Sequence, residues 1–362
     1  MTVTDTPTEQ PTLDGAALEQ FVHQAVGELA AGISGLMVHL GDRLGLYRAM
    51  AGAGPLTPGD LAARTGTQER YVREWLSNQS AGGFVAYDAA AGTFELSAEH
   101  AMVLADETSP VFLAGAFETI ASCFTDHDTF VRAFTTGEGI GWGDHDDRLY
   151  TGALRLFRPG YEANLVSAWL PALDGVVDKL RDGASVVDVG CGLGASTIIM
   201  ARAFEHSSFV GYDIHGPSIE AARAAALEAG VERRARFEVS SALEVPGTGY
   251  DLACMFDCLH DMGDPVGAAR RIRQSLAEDG TLLLVEPAAA SALEDNLNPV
   301  SRLYYGLSTV ICTPSSLAQD VGLGLGAQAG PKRLEEVLHE AGFSHVRVAA
   351  RTPFNLIIEA RA

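Results

Sequence analysis

An α/β fold, a Rossmann-like sheet behind a mainly helical N-terminal domain, is what this 362-residue sequence predicts. Three observations carry that expectation. The first is the run Ala184-Ser-Val-Val-Asp-Val-Gly-Cys-Gly-Leu-Gly194, apolar and β-branched, which passes into glycines at alternate positions and then into helix formers. Such a run suits a strand buried on both faces of a parallel sheet. The second is the alternation that follows: strand-like runs at 208–212, 236–239, 251–256 and 282–286 are separated by helical stretches, the order of a doubly wound sheet. The third is the helical periodicity of the first hundred residues, where strand patterns are confined to two short runs.

In chain order, residues 1–14 are polar and proline-bearing, without the basic and apolar regions of a signal peptide, and read as a frayed tail. Residues 15–107 read as one domain. Across 16–53, Phe21, Ala25, Leu29, Ile33, Leu36, Leu40, Leu44 and Tyr47 recur at helical spacing, and Gly32 and Gly35 suggest a break into two helices. Thr57 is placed to cap a helix over 58–64, and 68–80 forms a second with Tyr71, Val72, Trp75 and Leu76 on one side. Two short strands at 84–87 and 93–96 complete a helix-turn-helix with a wing.

A winged helix raises a transcriptional regulator as one reading. Charge argues against it. Within 57–99 Arg64, Arg70 and Arg73 face Asp60, Glu69, Glu74, Asp88, Glu95 and Glu99, and the whole chain carries a formal charge of −22. A module with that balance repels the phosphates that dominate nucleic-acid affinity. No apolar run approaches the ~20 residues that span a bilayer, so no membrane partner is expected. Five cysteines without CxxC spacing read as reduced thiols in a cytoplasmic protein.

Residues 108–182 read as a helical linker and pocket wall, interrupted at 136–147 by a loop with four glycines that presents Trp142. The acidic run 144–147 cannot converge on one ion, and Cys254 and Cys258 read as packing, so no metal is expected. Residues 183–362 form the ligand-binding domain, with an insertion at 287–331. Gly190, Gly192 and Gly194 let the backbone turn sharply and approach a ligand at a helix N-terminus. Asp213 closes the next strand, nineteen residues after Gly194, where a carboxylate grips ribose hydroxyls. Gly190, Gly192 and Ala195 also satisfy a dinucleotide pattern. Asp188 sits two residues before the first glycine, poorly placed for a pyrophosphate and well placed for a cation. Ligands of open α/β sheets lie beyond the carboxyl ends of strands, which adds Cys191, Ile214, Phe256 and Asp257 to the cofactor set and makes His260 and Asp261 candidates for chemistry.

The run V-V-D-V-G-C-G-L-G-A, with Gly-Tyr-Asp213 after the next strand, resembles the first motif of class I S-adenosylmethionine-dependent methyltransferases. L-H-D-M-G-D, residues 259–264, resembles the L-H-D-W-S-D segment of the small-molecule O-methyltransferases, and the N-terminal half looks like the dimerisation domain of plant, fungal and actinobacterial members. The resemblance implies a seven-stranded methyltransferase sheet with an antiparallel last strand, S-adenosylmethionine as cofactor and a homodimer. By the same resemblance Ser241 and Ala242 join the cofactor set, standing where those families often carry an Asp beside the adenine. It implies a small organic acceptor methylated at oxygen, with His260 as general base braced by Glu286. A second bracing acid is missing from 326–333. Tyr161, Tyr304 and Tyr305 join Trp142 as expected acceptor contacts. Two other readings stay open: a regulator that senses S-adenosylmethionine, and an N- or S-methyltransferase working by proximity alone.

Overall fold

The structure, a computed structural model, describes residues 13–362. The expected tail therefore lies almost wholly outside the described residues. The chain divides into two compact units, one ending at Ala105 and one beginning at Asp106.

The first unit opens with α1 (Gly15–Arg43), capped by the Asp14 carboxylate, which accepts from the backbone N–H groups of Ala16 and Ala17. The expected break at Gly32 and Gly35 does not occur. A Cβ at Gly32 would meet nothing, so that glycine marks no close approach, and i→i−4 bonding outweighs the modest helix cost of two glycines. The second helix of the segment is the short α2 (Leu46–Met50), entered through Gly45 at φ 69°. By length and composition α1 is long and apolar enough to cross a bilayer, although its apolar residues are interspersed with polar ones.

Thr57 caps α3 (Pro58–Thr65) in a reciprocal capping box with Asp60. Packed on it is α4 (Glu69–Ala81), which buries Val72, Trp75 and Leu76 but leaves Tyr71 outside. The wing is the antiparallel pair β1 (Ala86–Asp88) and β2 (Thr93–Glu95), and α5 (Ala98–Leu104) ends the unit.

The second unit begins with α6 (Ala114–Thr125), α7 (His127–Thr136) and α8 (Arg148–Asn164), the latter running into a π-helical turn at Leu165–Trp169 before α9 (Val176–Asp182). The sheet follows: β3 (Ser185–Val189), α10 (Ala195–Ala203), β4 (Ser208–Asp213), α11 (Gly216–Glu228), β5 (Ala235–Val239), β6 (Tyr250–Phe256), α12 (Pro265–Ser275) and β7 (Leu276–Pro287). The insertion contributes α13 (Pro299–Leu307), a π-helical turn at Ser308–Cys312 and α14 (Thr313–Leu317), after which come α15 (Gly330–Glu340), β8 (His345–Arg351) and β9 (Asn355–Arg361).

Spatial order is β5-β4-β3-β6-β7-β9-β8, parallel except that β9 inserts antiparallel between β7 and β8. This is the seven-stranded sheet the sequence implies. Order reverses at β3, whose neighbours are β4 and β6, so the crevice beyond β3, β4 and β6 is the switch point where such sheets bind ligands. Apolar layers cover both faces: Val186, Leu252 and Ile357 lie with α8–α11 on one side, and Val187, Ala253 and Ile358 with α12 and α15 on the other.

Glycine makes the β3–α10 connection possible. Gly194 holds φ 81°, and a Cβ there would come within 2.8 Å of the Phe237 ring and 2.9 Å of the Ala222 methyl. Gly194→Ala combines a left-handed backbone penalty with overpacking, and it is expected to cost about 2 kcal/mol, read as a lower urea midpoint with unchanged slope.

Candidate functional site

The glycine turn is held from behind by β4. Backbone N–H groups of Gly190 and Cys191 donate to the Tyr212 carbonyl at 2.8 and 3.1 Å. Gly192 N–H donates to Asp213 Oδ2 at 2.9 Å and His215 N–H to Oδ1 at 2.8 Å, which fixes the carboxylate and leaves each oxygen a further lone pair. Burial lifts the Asp213 pKa, opposed by those hydrogen bonds. A Cβ on Gly192 would meet nothing, because that Cα faces open space.

The space is a cavity of about 570 Å³ at the switch point, of the size that takes a drug-sized ligand. Gly190, Cys191, Gly192, Asp213, Ile214, Ser241, Ala242, Phe256, Asp257 and Asp261 line it, and so do Trp142 and Tyr161. Most of the expected cofactor set is thereby brought together. Asp188 and Gly194 stand behind the wall. Asp188 is 1 % exposed and accepts from the Ser196 and Thr197 hydroxyls, both at 2.6 Å, through Oδ2, while Oδ1 has no hydrogen bond. Burial raises its pKa to about 6 against those two bonds.

Tyr304 and Tyr305 do not line the cavity. Tyr304 is buried with its hydroxyl donating to the Phe354 carbonyl at 3.3 Å. The aromatic wall comes instead from α8, where Tyr150, Ala153, Leu154, Phe157 and Tyr161 form one helical stripe. That spacing is legible in the sequence, and only Tyr161 had been singled out. Tyr150 also stacks on His215 with centroids 4.3 Å apart.

Beyond β6 the chain bends through Asp257, which holds φ 50°. That strained conformation costs of order 1 kcal/mol and persists where its surroundings fix it. Tyr161 Oη donates to Asp257 Oδ2 at 3.0 Å and Asn355 Nδ2 to Oδ1 at 3.1 Å. Burial, reinforced by the nearby Glu286, raises the Asp257 pKa to about 7.

His260 follows in a 3₁₀ turn, 3 % exposed. Its Nδ1 lies 2.5 Å from Glu286 Oε2, and Glu286 Oε1 accepts the Leu259 N–H at 3.1 Å, so the carboxylate at the end of β7 orients both ring and backbone. On the other side Nε2 is 3.2 Å from Asp261 Oδ1. Burial alone would lower the His260 pKa, but Glu286 and Asp261 outweigh it and the result lies well above the usual value. The two carboxylates thus favour the charged form of the ring. The stretch 326–333 supplies no carboxylate; the Gly326 N–H instead donates to the His260 carbonyl at 3.3 Å.

The cavity's electrostatics are one-sided. Asp213, Asp257, Asp261, Asp264 and Asp320 line it, and no lysine or arginine does among the described residues.

Residues 32–106 match the family described as Rv2258c-like winged HTH domain, and 180–342 match the methyltransferase domain family. The chain thus carries both domains. It is 33% identical over 131 residues to 27-O-demethylrifamycin SV methyltransferase of Amycolatopsis mediterranei, covering 34% of this chain and 48% of that protein. It is 30% identical over 102 residues to the polyketide synthase ThaQ of Burkholderia thailandensis, covering 28% and 5%. The chain thus spans less than half the length of these curated relatives. Among solved structures, mitomycin 7-O-methyltransferase MmcR superposes with a TM-score of 0.70 at 20% identity, covering 96% of this chain and 100% of that one. NcsB1 from neocarzinostatin biosynthesis, in complex with S-adenosylmethionine and 2-hydroxy-5-methyl naphthoic acid, gives 0.63 at 20% identity, covering 93% and 98%.

Because the folded-state pKa of His260 exceeds the ~6.5 of an unfolded chain, the stability its carboxylate partners confer is whole below that pH and is lost as pH rises through the folded value. Glu286→Gln removes the first-named of the two raising charges. The His260 pKa is expected to fall, followed by NMR titration of the imidazole Cε1 proton.

Proposed function

Taking the chain as a winged-helix protein with a class I methyltransferase domain, we propose that it transfers a methyl group from S-adenosylmethionine to a hydroxyl of a small organic acceptor. The observation that carries this reading is that the Gly190–Gly192 turn, Asp213 and Asp261 line one cavity, with the His260–Glu286 pair directly behind Asp261. The residues suit this cofactor. Asp213 retains acceptor capacity for ribose hydroxyls, Ser241 and Ala242 line the same cavity and are assigned here to the adenine, and the carboxylate wall favours a positively charged ligand. A pyrophosphate cofactor finds no basic side chain on that wall among the described residues.

S-adenosylmethionine, when bound, supplies an electrophilic methyl carbon and a neutral thioether leaving group. The protein's part is alignment, which can supply much of the acceleration of an in-line displacement, together with removal of one proton. With Nδ1–H committed to Glu286, the Nε2 lone pair of a neutral His260 faces Asp261 at the cavity wall, and in this reading it takes the acceptor's proton there as the oxygen attacks. Tyr161 and Asn355 hold Asp257 in the wall beside that path. The carboxylates also bear on the acceptor: a neutral or cationic aromatic fits, and an anionic one is repelled.

Two copies are proposed to associate through α1. Val22, Val26, Leu29, Ile33, Leu36 and Leu40 follow one another at steps of four and three, the heptad spacing of a coiled-coil seam, and all six are exposed. A seam of this kind is matched by the same seam on a second copy, whereas the −22 charge opposes an anionic membrane surface. With all five cysteines unpaired in the structure, we place the protein in the cytoplasm.

Asp213→Ala is expected to abolish S-adenosylmethionine binding by calorimetry, and undiminished binding removes the ribose assignment. His260→Ala is expected to bind normally and turn over at least ~100-fold more slowly; unchanged turnover transfers the reaction to the proximity-only reading. In the wild type, turnover should rise with pH beyond the ordinary histidine range, since the base form appears only as the imidazolium deprotonates. Leu29→Glu with Ile33→Glu should convert a dimer to monomers by light scattering coupled to size exclusion.

A further inference from the structure

We propose that His260, Asp261 and Cys312 form a binding site for a borderline-soft divalent cation of the zinc class, and that its occupation withdraws His260 from proton transfer. The three side chains come from two separate segments, the 3₁₀ turn Leu259–Asp261 after β6 and the π-helical turn Ser308–Cys312. They offer one nitrogen, one carboxylate oxygen and one sulfur, all within 4.8 Å of one another. Ligand atoms around a tetrahedral zinc stand roughly 3.3–3.7 Å apart, given bonds of about 2.0–2.3 Å, and Nε2 to Asp261 Oδ1 is already 3.2 Å. Small side-chain rotations complete the set.

Three further features favour a cation there. Glu286 on Nδ1 directs the Nε2 lone pair at Asp261, the carboxylate–histidine arrangement that prepares an imidazole for a metal. Nε2 and Asp261 Oδ1 face each other at 3.2 Å, a gap that a proton or a metal ion can bridge, and Oδ1 is buried without a hydrogen bond. Asp261 lines the cavity while His260 and Cys312 are buried behind it, so three protein ligands leave a fourth position opening toward the cavity. Mixed nitrogen, oxygen and sulfur donors select zinc-like ions over the all-oxygen preference of magnesium and calcium. Cys312 stands 52 positions after His260, so no short-range spacing pairs the two.

On binding, the metal takes the Nε2 lone pair and the Cys312 thiolate, and both the imidazolium Nε2 proton and the thiol proton leave to solvent. Cobalt(II) added to the metal-free full-length protein is expected to bind at one equivalent, with intense visible bands of four-coordinate cobalt and a near-ultraviolet thiolate-to-cobalt band that zinc abolishes. Cys312→Ser should keep the wild-type melting curve and lose the thiolate band, and Asp261→Asn should weaken binding at least tenfold. No binding at one equivalent, or a thiolate band unchanged in Cys312→Ser, overturns the site and leaves Cys312 as a hydrogen-bonded thiol. Inhibition rests on His260 as the base: zinc should slow the wild type and spare Cys312→Ser. Cobalt spectra as expected without zinc inhibition would keep the metal site and remove the base assignment.

Discussion

The contact on which the ligand site depends is the one between the Asp213 carboxylate and the Gly192 backbone N–H, 2.9 Å long. It joins the ends of two strands, because Asp213 closes β4 and Gly192 lies in the turn after β3. The turn can approach only because Gly190, Gly192 and Gly194 hold φ of 73°, 51° and 81°, a region that side-chain-bearing residues enter at a cost. Phe237 of β5 packs where a Cβ of Gly194 or Gly211 would be. Three adjacent strands therefore agree on one backbone path, and that path opens the cavity.

A second constraint is the concentration of carboxylates around one imidazole. Glu286 and Asp261 hold His260 from both sides, and burial amplifies their effect by removing competing water. The arrangement favours the charged ring, so the Nε2 lone pair is freed only as pH rises. Asp257, strained and held by Tyr161 and Asn355, extends the negative wall toward the cofactor end. Placing so many acids together has a folding cost, which the apolar layers on both faces of the sheet offset.

Much of this was legible in the chain because it is local. The strand-glycine-helix junction, Asp213, and the His260–Asp261 turn are each written within a few residues, and the alternation of elements fixed the sheet. The capping box of Thr57 and Asp60 was half read, from the cap alone. Non-local features were harder. The insertion's tyrosines looked like pocket residues, yet Tyr304 turns its hydroxyl to Phe354, fifty positions on. Asn355 and Cys312 meet the site only through the sheet and the π-helical turn, and no short-range pattern announces either. In α1 two glycines suggested a break where the helix continues, because their modest helix cost is outweighed by the i→i−4 bonding of a 29-residue helix.

The central claim is that the elbow and Asp213 hold an adenosine bearing a sulfur side chain rather than a dinucleotide. The most direct measurement is calorimetric titration of the full-length protein with S-adenosylhomocysteine and, side by side, with NADH. The account predicts saturable binding of S-adenosylhomocysteine at one per chain and none of NADH. Saturable NADH binding, with S-adenosylhomocysteine inert, would contradict it.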